Sequence, residues 1–166
     1  MKLTKIKMFL LMFPLLYLFH DIEEILTVEQ FLIEHSDIIP IRVTTLEFAV
    51  AFSLLWVLAS VGCYQAFREK QFLGMKPTTY LSFLVPGIIL ANAIGHVMQF
   101  LFIREYVPGI ITSVMVLIPY SFFTARFLIT TGEVTTKKLV AYFGIGIVVQ
   151  GPLALLAHIF SSSIVK

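Results

Sequence analysis

Apolar residues run along this chain in long blocks, with polar residues between the blocks and, in a few places, inside them. Four blocks reach the roughly 20 residues that a helix needs to cross about 30 Å of hydrocarbon. They cover residues 45–67, 79–103, 107–127 and 139–161. The first block is less regular: the uncharged run 8–19 is too short alone, so as a pass it must continue through His20, Asp21, Glu23 and Glu24 to about Thr27. The pattern therefore predicts an all-α, polytopic bundle of about five transmembrane helices, near 8–27, 45–67, 79–103, 107–127 and 139–161. The longest connection, roughly 28–42, is too short to bury a core of its own, so residues 1–166 read as a single transmembrane domain.

Prolines agree with this segmentation. Pro40, Pro77 and Pro108 lie near helix starts, where a missing N–H costs nothing. Pro14, Pro86, Pro119 and Pro152 lie inside passes and should loosen or kink them.

Composition strengthens the membrane reading: 58% of residues are hydrophobic and 13% charged, far from a soluble domain. The start, with Lys2, Lys5 and Lys7 before an apolar run, resembles a signal peptide. No small-x-small cleavage pattern follows, so it is read as a retained first helix. The net charge of +2 does not point to nucleic acid, because the cations flank the apolar blocks as membrane anchors do. Nine Lys and Arg fall on the side of the amino terminus and three, Arg42, Arg104 and Lys166, on the other. The amino terminus is thus expected in the cytoplasm and the carboxyl terminus outside a cell membrane crossed several times. Cys63, the only cysteine, reads as a small core residue. The partners implied are the bilayer and a lipid-like substrate; nothing in the sequence specifies an oligomeric state.

With this orientation, polar groups from all five passes fall in the outer half of the membrane: His20, Glu23 and Glu24; Glu47; Asn92 and His96; Thr112; His158. His20 shares a helix face with Glu23 and Glu24, and Asn92 shares one with His96. Facing lipid would cost about several kcal/mol per group, so these faces should meet. Imidazoles and carboxylates bind zinc or iron and also transfer protons. The expected ligands are drawn from His20, Glu23, Glu24, His96 and His158, with Glu23 or Glu24 as general base, Asn92 and Tyr106 orienting substrate or an oxyanion, and Tyr106 and Thr112 lining the mouth of the site.

Each residue also has a plainer reading. The first cluster could be a solvated helix end, Asn92 and His96 an interhelical bond, Glu47 an amino-terminal carboxylate, and His158 a satisfied core histidine. Gln150 reads as packing glue and His35 as a solvated loop residue. Tyr106, Pro108, Gly109 and Thr112 could be only a helix start.

Three patterns taken together, His20-x-x-Glu23-Glu24, Asn92-x-x-x-His96 and Tyr106-x-Pro108-Gly109-x-x-Thr112, resemble the HXXEE-motif family of small bacterial and archaeal membrane proteins. The resemblance implies that these residues belong to one site. By site logic the chain is also similar to intramembrane CAAX-type proteases, although Val28 stands where their Glu-Glu motif is followed by arginine. It is similar too to emopamil-binding-like sterol isomerases, which use intramembrane His and Glu without metal. The leading expectation is a metal-dependent hydrolase of a lipid-like substrate. The alternatives are a metal-free proton-transfer isomerase and a small proton-coupled transporter or ligand-binding protein.

Overall fold

The computed structural model describes residues 2–165. Lys166, counted above with the outer cations, lies outside them. Five long helices follow one another: α1 Lys2–Glu34, α2 Thr45–Phe67, α3 Pro77–Ile103, α4 Ile110–Thr130 and α5 Thr136–Val165. Among the described residues there is no strand, only an isolated bridge between Phe72 and Met75. Helices α2 to α5 are each long and apolar enough to cross a membrane. Helix α1 is not among these four; His20, Asp21 and Glu24 are buried within it.

The helices outrun the apolar blocks because backbone bonding continues past the hydrocarbon. At about 1.5 Å per residue, the 33 residues of α1 span about 50 Å. Half of the connection expected over 28–42 is accordingly helix. A tether then joins α1 to α2: the Thr45 N–H and hydroxyl both donate to Glu29 Oε2, at 2.7 and 2.5 Å. The start of α2 is closed by a capping box between Thr44 and Glu47. His35 is likewise tied, through Nδ1 to the Phe31 carbonyl at 2.9 Å and through Nε2 to Glu105 at 3.3 Å.

Helix α3 is the centre of the bundle. Over its most apolar stretch 56% of residues are buried, against 11 to 28% in α2, α4 and α5. Tyr120 and Trp56 donate to the α1 carbonyls of Phe9 (2.6 Å) and Pro14 (2.8 Å), and Tyr80 to Ala59 of α2 (2.9 Å). Helices α3 and α5 approach so closely that a Cβ on Gly146 would stand 2.6 Å from the Gly87 carbonyl oxygen.

Two of the four internal prolines coincide with π-helical turns, Leu84–Ile89 around Pro86 and Ser113–Leu117 just before Pro119. Carbonyls in the first turn find side-chain donors, Ser121 to Val85 at 3.3 Å and Gln150 to Ile88 at 2.8 Å. Pro14 and Pro152 sit within uninterrupted α-helix.

Candidate metal centre

Three segments build the site: the middle of α1, the second half of α3 and the connection from α3 into α4. Helical spacing puts His20 and Glu24 on one face of α1, and this face meets His96 of α3. The His20 and His96 rings stand edge to face with centroids 5.0 Å apart. Glu24 lies between them, Oε2 3.5 Å from His20 Nε2 and Oε1 3.3 Å from His96 Nε2. All three side chains are buried, and one ligand atom from each falls within 4.8 Å of the others. His20, Glu24 and His96 could therefore hold a metal ion. Both Nε2 atoms and Glu24 Oε2 are buried without a hydrogen-bond partner, an arrangement that suits ligand atoms turned toward a common centre.

The connection after α3 folds in over this group. Arg104 ends α3 in the left-handed region, with φ 62°, and Val107, Pro108, Gly109 and Ile110 are buried. Gly109 has φ 78°, and a Cβ there would stand 2.7 Å from His20 Cε1, 2.9 Å from Glu24 Cγ and 3.1 Å from His96 Cε1. Conformation and space both demand glycine at this position.

Glu23, one residue from Glu24, points elsewhere. Its carboxylate accepts from the Tyr106 hydroxyl (2.8 Å), the Ile111 N–H (3.1 Å), the Thr112 N–H (2.8 Å) and the Thr112 hydroxyl (2.5 Å). Four donors require the ionised, acceptor-only form. Because the Thr112 proton goes to Glu23, its oxygen must accept from His20 Nδ1, 2.9 Å away. His20 is thereby held as the Nδ1–H tautomer, with the Nε2 lone pair facing Glu24 and His96. Tyr106 lies in the connection, outside the spans; partial burial raises its phenol above the ordinary value, and the bond to Glu23 adds to that.

All three sequence motifs thus converge, and a family model described as "Protein of unknown function with HXXEE motif" matches residues 11–124. The chain belongs to the HXXEE-motif family. No curated protein and no solved structure matches it.

In the HXXEE protein the expected site divides. Glu23, read from the sequence as a ligand or base, lies outside the three-residue group, because its oxygens are taken up by the α3–α4 connection. Tyr106 and Thr112 serve that same carboxylate. His158 on α5 also lies outside the group, as does Glu47, which caps α2. The polar residues of α1, α3 and α4 meet, whereas those of α2 and α5 do not join them. Asn92, one turn before His96, has its Oδ1 buried without a partner.

Asp21 occupies an unspecified position of the His20-x-x-Glu23-Glu24 pattern. It is 2% exposed, and both of its oxygens lack partners. Its presence in an apolar segment was the signal, since an intramembrane carboxylate is a functional residue by default. Ser113 is fully buried with an unpartnered hydroxyl, and no sequence pattern marks it.

Proposed function

We propose that the HXXEE protein is an intramembrane, metal-dependent hydrolase of the cell membrane. In this reading zinc or iron is held by His20, Glu24 and His96, and the substrate is a lipid-like molecule reached from the outer half of the bilayer. The observation behind it is the buried convergence of two unpartnered imidazole nitrogens and one carboxylate within 4.8 Å. Two histidines and a glutamate form a donor set that suits zinc or ferrous iron and leaves a coordination position open. Held by these residues, a divalent ion would supply Lewis acidity toward a carbonyl and toward water at neutral pH.

The chain's own groups supply the rest. Thr112, backed by Glu23, fixes the His20 ring. Asn92, one turn before His96, lines an adjoining cavity, where its amide can donate to a substrate carbonyl. With Glu23 committed to its four donors, Asp21, buried next to His20 in the chain with both oxygens unpartnered, is the carboxylate available for the base role. In ester hydrolysis the water hydroxyl joins the acyl carbon, the single carbon–oxygen bond breaks, and the remaining water proton leaves on the alcohol. The nine-to-three distribution of Lys and Arg supports an inward amino terminus and five passes including α1.

Elemental analysis of purified protein tests the reading, comparing wild type with His20→Ala and His96→Ala and checking folding by size-exclusion elution. The expected result is near-stoichiometric zinc or iron in wild type and its loss in both folded variants. Metal absent from wild type, even after reconstitution, would overturn the reading in favour of metal-free proton transfer or transport.

A further inference from the structure

A cavity of about 300 Å³ lies among α1, α2, α3 and α5, next to the candidate metal centre. Two residues mark the boundary between them. Tyr17, one turn before His20, lines the cavity and has its ring 5.5 Å from the His20 ring. Asn92, one turn before His96, lines it from α3. From this boundary the cavity follows α3 back past Ile88 to Tyr80, with Phe52 of α2 among its walls.

Its shape restricts the occupant. Tyr80 and Asn92 are twelve residues apart, so the cavity runs for about 18 Å along α3. A compact cavity of that volume would be only about 8 Å across, so one drawn out over that length is elongated, the shape of an extended hydrocarbon chain. Such a shape suits an extended chain better than a fused ring system. Polarity restricts it further: the Gln150 amide N–H and the Tyr80 hydroxyl are committed to the carbonyls of Ile88 and Ala59. This leaves the Asn92 amide as a polar contact at the end nearest His20 and His96. The wall residues Leu58 and Leu73 are exposed, at 51% and 73%, so the cavity is open along part of its length.

We propose that this cavity is the chain-binding pocket for the substrate of the metal centre. It takes a lipid with one unbranched hydrocarbon chain, which lies along α3 from Asn92 toward Tyr80 and sets its first ester or amide carbonyl against the Asn92 amide. The proposal rests on the hydrolase reading for the role of the centre, but chain binding is measured independently of metal.

The test uses protein transferred to amphipol, with a linear fluorescent polyene fatty acid as probe and saturated fatty acids of increasing length as competitors; metal content is measured on the same samples. Expected is saturable binding to wild type, with competition strengthening with chain length up to a cut-off and no competition from a sterol. Ile88→Trp and Ala154→Phe, which fill the cavity from two different helices, should each weaken binding at least tenfold or shorten the cut-off while keeping metal. Failure of wild type to bind the probe, equal competition by the sterol, or unchanged binding in both folded variants would overturn the pocket. Binding retained in wild type that proves free of metal would uphold the pocket and overturn only the hydrolase reading.

Discussion

The Thr112 hydroxyl oxygen lies 2.9 Å from His20 Nδ1. Since its own proton is donated to Glu23, this one contact decides which imidazole nitrogen faces the candidate centre. Outer partners of this kind typically alter metal affinity by about 10- to 100-fold. Thr112→Val should therefore weaken zinc binding by about that factor in a chelator competition, while Thr112→Ser stays near wild type. Equal affinity in all three would show that the relay has no part in ligation.

Glu23 and Glu24 should respond in opposite ways to the same substitution. Glu24→Gln removes a ligand from a buried carboxylate position and should abolish stoichiometric metal while leaving apo stability equal or higher. Glu23→Gln places an amide NH₂ among donors and breaks charge-assisted bonds, so apo thermal stability should fall by roughly 2 kcal/mol. A thermal melt with parallel elemental analysis separates the two. The assignment fails if Glu23→Gln leaves the melt unchanged and loses the metal.

Gly109→Ala should damage both stability and the centre. The left-handed backbone costs about 1–3 kcal/mol for a residue with a Cβ. The new methyl would also press on the His20 ring. The expected outcome is a lower melting temperature together with at least tenfold weaker zinc binding. Gly95→Ala is a control, because a Cβ at Gly95 meets nothing within 4 Å.

The tether between α1 and α2 should depend on pH. Glu29 lies beyond the apolar part of α1, and bonds from the Thr45 hydroxyl and N–H hold its carboxyl below the ordinary 4.5. A depressed carboxylate contributes stability that is fully present above the ordinary value and is lost as pH falls through the lowered one. Amide exchange at Thr45, corrected for intrinsic rate, should thus be protected at pH 6 and rise as pH falls below about 4.5. Glu29→Gln should already show fast exchange at pH 6.

Long apolar blocks made the helices legible in the sequence, because a backbone in hydrocarbon must bond within its own segment. Helical spacing also made the inward faces legible, with His20 and Glu24 on one and Asn92 and His96 on another. Helix ends were less so: α1 runs to Glu34 because local bonds such as Gln30 to Glu34 at 2.8 Å continue it where hydropathy no longer does.

What each glutamate does was decided only by the tertiary structure. Glu23 and Glu24 are chemically identical neighbours about 100° apart around α1. Nothing in the order of residues says which direction meets His96 and which meets the N–H groups of Ile111 and Thr112. That depends on where α3 and the Gly109 turn pack against α1, as does the separation of His158 and Glu47 from the group. The sequence determined which chemical groups enter the membrane and which of them share a helix face, since both follow from local backbone geometry. Their division into ligand and support comes from contacts between segments some 70 to 90 residues apart, which local geometry does not set.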